Sequence, residues 1–307
     1  MAKRLLFIYN QYAGKGRIRT ALSDVVDIFT KAGYDVTVHP TQCRGDAAKM
    51  ATYEARNYDM IVCSGGDGTL DETVSGIIRS EEDVTLGYLP AGSTNDYASS
   101  LHIPAVMKKS AEVCVNGRVF LSDVGMLNDE NFIYVAAFGL FTEVSYETPQ
   151  EIKNVLGYAA YLLEGVKRLN KIPSYHMTIT TNEETIEDDF MFGMITNSVS
   201  VGGFKGVTGK HVRLDDGRFE VTLIRKPKNP LELNSIIGAL LNYGPVPEGL
   251  MHSFKASEIR FESEEEVAWT RDGEFGGRYR EAEIEVLHKG LRIMVPEKKN
   301  RELIPDK

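Results

Sequence analysis

No stretch of this chain is apolar for long enough to cross a bilayer. The longest such run, Ile133–Phe141, falls far short of the roughly 18 residues a spanning helix needs. The segment from Met1 to Tyr9 is too short for a secretory signal and leads straight into a strand-like run. Both features predict a soluble, cytoplasmic protein with no transmembrane segment. Cysteine is scarce: Cys43, Cys63 and Cys114 are odd in number, far apart and free of any CxxC or Cys/His spacing. That argues against a disulfide framework or a zinc site and makes a reducing compartment the default. The six histidines form no i, i+4 pair, and no repeat or low-complexity linker occurs. Two phosphate-binding signatures are missing as well, the GxxxxGK[ST] loop and a GxGxxG after a strand.

Excess charge of one sign is present but unevenly placed. The net charge is -9; residues 1–121 hold 13 Lys/Arg against 14 Asp/Glu, and residues 122–307 hold 22 against 30. An acidic chain without a basic stripe is a poor nucleic-acid binder. It also gains no global attraction to anionic lipid, so membrane contact has to be local. At 307 residues the chain exceeds what one core usually supports, which predicts two domains.

Strand and helix signals alternate over the first 120 residues. Leu5–Tyr9 reads as a buried strand, and Ile18, Leu22, Val25, Val26 and Phe29 follow at helical spacing, closed by Gly33. Strands are expected at 35–41, 60–63 and 85–89, with helices from about Gly45 and over 69–78. Such alternation predicts a parallel sheet covered on both faces, with ligands off the carboxyl ends of its strands. After Leu121 the strands follow one another, at 132–138, 175–181, 190–196, 219–224, 258–262 and 282–287, with helices near 152–170 and 231–242. The expected fold class is thus α/β plus β. A doubly wound parallel sheet over 1–121 binds nucleotide, and an antiparallel β-sandwich over 122–290 takes the substrate. Residues 291–307 form a C-terminal segment free to return to the first domain.

The sharpest local signal is Ser64-Gly65-Gly66-Asp67-Gly68-Thr69 at a strand end, opening a helix. Glycines let the backbone approach a phosphate, and the free N–H groups of the helix start supply donors. A carboxylate there would repel phosphate unless Asp67 faces Mg²⁺; the plainer alternative is a turn with Asp67 capping the helix. Asn10–Gly16 and Pro90–Asp96 are two further glycine-bearing loops at the same sheet edge, which together favour a binding cleft.

The ordered set Asn10…Gly14-Lys15-Gly16, Gly65-Gly66-Asp67-Gly68-Thr69, Pro90-x-Gly92-Ser93-x-Asn95-Asp96-Tyr97-Ala98 and Asp272-Gly273-Glu274 resembles the diacylglycerol kinase catalytic family, its soluble bacterial lipid kinases above all. Gly202-Gly203-Phe204 and Leu214-Asp215-Asp216-Gly217 extend the likeness over nearly the whole chain. The resemblance implies that Asn10, Gln11, Tyr12, Ala13, Gly14, Thr41, the segment Gly65, Gly66, Asp67, Gly68, Thr69, Leu70, Asp71 and Glu72, and then Ser93 and Thr94 hold ATP. Asp272 then stands at the catalytic base and Asp67 near the catalytic Mg²⁺. Asp216, with the backbone carbonyls of Arg213 and Arg218, matches a structural Mg²⁺ site. Three departures appear: Ser93 for Thr, Gln11 for Pro and Asp71 for Asn.

The implied reaction is transfer of the γ-phosphate of ATP to the hydroxyl of diacylglycerol or a similar lipid, giving phosphatidic acid or an analogue. The implied partner is lipid at the inner face of a membrane, and a homodimer is compatible with the relatives. Val155, Tyr158, Ala159, Leu162, Leu163, Val166 and Leu169 form an apolar helical stripe that either docks on the sandwich or meets lipid. Glu264-Glu265-Glu266 reads as a solvated loop. Two rivals stay open: an NAD kinase, which shares the GGDGT logic, and a catalytically silent lipid- or nucleotide-binding relative.

Overall fold

A computed structural model describes residues 2–140, 173–201, 204–205, 212–242 and 249–297. The expected helix near 152–170, with its apolar stripe, lies outside them. The chain divides into two compact units, Met1–Val124 with His288–Lys307, and Gly125–Leu287.

The first part runs β1 (Lys3–Tyr9), α1 (Arg17–Lys31), β2 (Tyr34–Pro40), α2 (Asp46–Glu54), β3 (Met60–Gly65), α3 (Asp67–Ser80), β4 (Thr85–Pro90), α4 (Asp96–Ser100) and α5 (Met107–Asn116). Next come β5 (Arg118–Leu127), β6 (Glu130–Phe132), β7 (Val135–Gly139), β8 (Tyr175–Thr181), β9 (Thr185–Thr196), β10 (Ser200–Val201) and β11 (Phe204–Lys205). The chain then forms β12 (Phe219–Arg225), α6 (Pro230–Asn242), β13 (Met251–Ala256), β14 (Glu258–Arg271) and β15 (Glu274–Val295).

In the first unit the strands lie in the order β15-β4-β3-β1-β2, all parallel, with Phe7 opposite Val38 and Val62 and Ile293 opposite Leu86. Successive side chains leave a strand on opposite faces. Leu5 and Phe7 therefore meet Ile18, Val25 and Phe29 of α1 and Met107, Ala111 and Cys114 of α5. Leu6 and Ile8, equally buried, point the other way, where α2 and α3 contact β1 and β3. A fully buried ring such as Phe29 contributes about 2 kcal/mol or more from burial alone. Cys114 belongs to the cluster with α1 and α5, and Cys63 is buried as well; burial pushes both thiols up to about 12, so they pack as apolar groups. The order β2-β1-β3 reverses the winding between β1 and β3. Such a switch point is where ligands bind in open parallel sheets of this kind.

The second unit is antiparallel, with the order β13-β12-β9-β7-β14-β15. Strand β8 pairs with the first parts of β9 and β14, at Thr185–Phe190 and Ile259–Ser263, and β7 pairs with their later parts. The antiparallel pairing agrees with the expected strand-on-strand texture, and the hydrogen-bonded path runs continuously through all of these strands. The long strands β9, β14 and β15 run on through places where the sequence suggested breaks. Their register shifts between Glu262 and Val267, and that gap is where Glu264–Glu266 project into solvent. The glutamate run is therefore an exposed, bulged part of β14 and not a loop. One face of the ladder closes on Phe132, Phe138, Phe190, Phe219, Phe261 and Trp269, all buried.

Candidate active site

Three loops leave the carboxyl ends of β1, β3 and β4 and touch backbone to backbone. The Asn10 N–H donates to the Ser64 carbonyl at 2.8 Å, and the Ala91 N–H to the Gly65 carbonyl at 2.7 Å. Gly14 sits at φ +55°, and a Cβ there would lie 1.8 Å from the Ala91 carbonyl oxygen. A Cβ on Gly92 would come within 2.7 Å of the Gly66 Cα. The glycines that suggested phosphate loops are thus also the only residues that let these loops meet. Arg17, which the motif reading passed over, fastens the first loop to the third: its Nη2 donates to the Ala91 carbonyl at 3.1 Å.

Polar side chains complete the cluster. Asp67 occupies the first turn of α3 without capping it; its Oδ2 accepts the Asn95 N–H at 3.0 Å. Asn95 has φ +54°, and its side chain both accepts from the Gly92 N–H, at 2.8 Å, and donates to the Gly92 carbonyl, at 2.9 Å. The helix-cap alternative for Asp67 is thereby replaced by a bond from the first turn of α3 to the third loop. Asn10 Nδ2 donates to Thr69 Oγ1 at 3.5 Å, and Asn10 Oδ1 accepts the Tyr12 N–H at 2.9 Å. Thr41 joins through its N–H to the Tyr9 carbonyl at 2.9 Å, and Glu72 Oε1 accepts the Gly45 N–H at 2.8 Å.

The remaining positions sort by exposure. Ser93, Thr94 and Tyr12 are exposed, and the Arg19 guanidinium lies 5.1 Å from the Tyr12 ring centre. Gln11 turns to Arg19, its Oε1 accepting from Nη2 at 3.5 Å. Gly68 faces open space, whereas the Leu70 side chain is buried in the core. Only the backbone of Leu70 is left for a ligand, and its N–H already donates to the Gly66 carbonyl at 3.1 Å. Asp71 stands one helical turn after Asp67, on the same face of α3.

Asp272 belongs to the second unit and is held very differently. It is the first residue of the turn between β14 and β15, at φ +47°, and only 5% exposed. Its Oδ2 accepts the Ile133 N–H at 2.6 Å; its Oδ1 accepts those of Tyr134 and Val135, both at 3.0 Å. The Tyr134 hydroxyl donates to the Asp272 carbonyl at 3.1 Å, and the Asp272 N–H donates to Val135 O at 2.8 Å. Burial pushes the Asp272 carboxyl above the ordinary aspartate range, against the pull of the three N–H groups and the Arg271 charge. The same bonds explain why the expected single strand 132–138 is two: the N–H groups of Ile133 and Tyr134 go to Asp272. The Arg271 guanidinium meets the Asn131 carbonyl and lies 3.5 Å from Glu130 Oε2, bracing the same segment.

At the third place marked by the sequence, Asp216 Oδ1 accepts the Arg218 N–H at 3.2 Å, and Oδ2 lies 2.9 Å from the Lys255 Nζ. The ammonium is also 2.8 Å from Glu220 Oε1. Burial opposes the charge on Lys255, but the contacts with Glu220 and Asp216 outweigh it and raise its affinity for the proton. Burial pushes Glu220 up to about 7 in spite of the ammonium beside it. The Arg213 side chain turns to Asp215 at 3.4 Å.

A doubly backed parallel sheet with glycine loops at its switch point is an arrangement that suits phosphate-handling proteins, and comparison with known proteins gives the family. The diacylglycerol kinase catalytic domain family matches residues 4–127. The diacylglycerol kinase of Bacillus subtilis (strain 168) is 31% identical over 303 residues, covering 98% of this chain and 99% of that protein. That of Staphylococcus carnosus (strain TM300) is 32% identical over 308 residues, covering 99% of each. A crystal structure from Bacillus anthracis str. Sterne superposes with a TM-score of 0.82 at 26% identity, over 96% of this chain and 95% of the other. The chain belongs to the diacylglycerol kinase family and is a lipid kinase. Among the described residues no helix is long and apolar enough to cross a membrane.

Proposed function

We propose that this enzyme transfers the γ-phosphate of ATP to the free hydroxyl of diacylglycerol, or a lipid presenting a similar hydroxyl, giving phosphatidic acid or its analogue. The observation that carries this reading is the backbone-to-backbone contact of the three glycine loops at the ends of β1, β3 and β4. A polyphosphate needs many donors and close approach, and these loops offer peptide N–H groups where side chains have been stripped away. In this reading Asn10–Gly14, Thr41, the segment Gly65–Glu72, Ser93 and Thr94 hold the nucleotide.

Asp67 and Asp71 offer hard carboxylate oxygens on one face of α3, a donor set that fits Mg²⁺. When bound, that ion neutralises charge on the phosphates. The rest falls to the chain. Asn95 fixes Asp67 and the third loop together, so the loops are preorganised before the nucleotide arrives. Asp272 orients the acceptor hydroxyl and takes its proton, through lone pairs left over from its three N–H bonds. Phosphoryl transfer passes through a loose transition state, so a carboxylate that positions the alcohol is sufficient and a strong base is not required. The lipid acceptor brings the enzyme to the membrane surface from the cytoplasm.

The test is transfer of ³²P from γ-labelled ATP to a panel of diacylglycerol, sphingosine, ceramide and undecaprenol in mixed micelles, with NAD beside it. Labelled phosphatidic acid that disappears with EDTA is expected. Labelling of NAD alone would overturn the lipid reading.

A further inference from the structure

We infer that Lys255 supplies, from within the chain, the positive charge that a divalent ion would bring to the Asp215-Asp216-Gly217 turn, so that the turn is built without metal. Resemblance to the family led to the opposite expectation, a Mg²⁺ held by Asp216 and the carbonyls of Arg213 and Arg218. The donor set found here does not fit that ion. Both Asp216 oxygens are engaged, one by the Arg218 N–H at 3.2 Å and the other by the Lys255 ammonium at 2.9 Å. Any cation reaching Oδ2 would meet a fixed like charge across hydrogen-bond distance.

The ammonium is placed there by the register of the sheet. Glu220 on β12 and Lys255 on β13 are direct antiparallel partners, and the next pair, Phe219 and Ala256, is buried on the opposite face of the ladder. Cross-strand partners of opposite charge hold one another in place, so Lys255 is anchored by Glu220 at 2.8 Å and reaches Asp216 from that anchor. Its three donors suit two carboxylates at once. The other acid of the turn, Asp215, is matched by Arg213 at 3.4 Å, and Arg218 reaches Glu183 at 3.3 Å. Among the described residues Asp215, Asp216, Glu220 and Glu183 thus each face a cation of the chain, Asp216 and Glu220 sharing Lys255, so most of the negative field that would draw in another is already offset. The inference concerns the folding of the second unit and holds whichever hydroxyl the enzyme phosphorylates.

Thermal unfolding of the full-length protein without nucleotide, in EDTA and in millimolar Mg²⁺, tests it. The wild type is expected to respond to Mg²⁺ no differently from Asp216→Asn. Lys255→Met keeps the length of the side chain and removes its charge. It is expected to melt several degrees lower in EDTA and to recover part of that loss in Mg²⁺, through Asp216 and Glu220 left without their cation. Two results would overturn the inference: a wild-type melting temperature that rises with Mg²⁺ and loses the rise in Asp216→Asn, or a folded Lys255→Met that ignores Mg²⁺. Should Lys255→Met fail to fold, the comparison of wild type with Asp216→Asn decides alone.

Discussion

Each unit holds a carboxylate to which the proposed reaction gives a part, and the two are held with different materials. Asp67 sits on a helix that begins where glycine loops converge, and the Asn95 N–H that it binds is only 28 positions away. Asp272 is buried under three consecutive peptide N–H groups from residues 137 to 139 positions earlier in the chain. The first arrangement sets the acid among closely packed, backbone-lined loops, as suits its proposed place facing a phosphate-bound ion. The second fixes an acid in one orientation within a nearly dry setting, as suits a group that must align a hydroxyl. Under the proposed reaction, an acid beside a polyphosphate needs backbone that can come close, and an acid that takes one proton needs neighbours that fix its direction.

The contrast is broken most severely at Asp272. Asp272→Asn keeps the size but loses the charge, and it turns an NH₂ group toward N–H donors on at least one side. Activity is expected to fall by about 10²–10⁴-fold, the usual worth of a general base. Stability should fall too, because each bond to a charged group is worth about 1.5–3 kcal/mol. Circular dichroism and a melting curve must therefore accompany the kinetics.

At the other carboxylate the glycines are the sensitive points. Gly14→Ala would push a Cβ to 1.8 Å from the Ala91 carbonyl, at φ +55°. The KM for ATP is expected to rise by at least about tenfold, equivalent to some 1.4 kcal/mol of lost binding. Gly16→Ala sharpens the point. Its φ is +72° but its nearest neighbour would lie at 3.4 Å, so only the left-handed strain of about 1–2 kcal/mol remains, with a small change in KM.

These differences decide how much could be read from the sequence. The glycine loops were legible because the chemistry is local: strand, glycine turn and helix start lie within ten residues of each other. The strands 175–181 and 219–224 were legible from alternation, and the Asp272-Gly273 pair did mark a hairpin turn. What could not be read was anything set by distant partners. The break at Ile133-Tyr134 exists because Asp272 takes the N–H groups, and nothing within 132–138 signals it. Likewise β14 continues through three glutamates, which local pattern reads as loop, because β8 and β15 pair with its Ile259–Glu262 stretch and β15 picks it up again at Val267. Strands β5 and β13 were missed for the same reason, and α5 because, Met107 apart, its buried side is made of small residues, Ser110, Ala111 and Cys114. Arg17 and Lys255 are ordinary surface-type residues in sequence. Their roles follow from the loop contact and the β12–β13 register alone.

Two smaller effects sharpen the comparison further. Tyr134→Phe removes the hydroxyl that pins the Asp272 carbonyl, a bond worth about 1 kcal/mol. A several-fold drop in kcat with an unchanged KM for ATP is expected, because the loops proposed to hold nucleotide lie elsewhere in the chain. The pH profile should separate the two acids as well. Burial raises the Asp272 carboxyl above the ordinary aspartate range, so the base is protonated up to a higher pH than a free aspartate. The acid limb of kcat/KM is therefore expected above that range, with activity rising as pH increases through it and no such limb in nucleotide binding.

The most direct measurement sets the two carboxylates side by side: ³²P transfer from ATP to diacylglycerol in mixed micelles by wild type, Asp67→Asn and Asp272→Asn, with nucleotide affinity measured on the same samples. The account predicts Mg²⁺-dependent labelling of phosphatidic acid by the wild type. Asp67→Asn should lose turnover together with Mg²⁺-dependent nucleotide binding, and Asp272→Asn should lose turnover while still binding ATP. A folded Asp272→Asn protein that labels diacylglycerol at nearly the wild-type rate would contradict it, and would make the three N–H bonds to Asp272 a purely structural clamp.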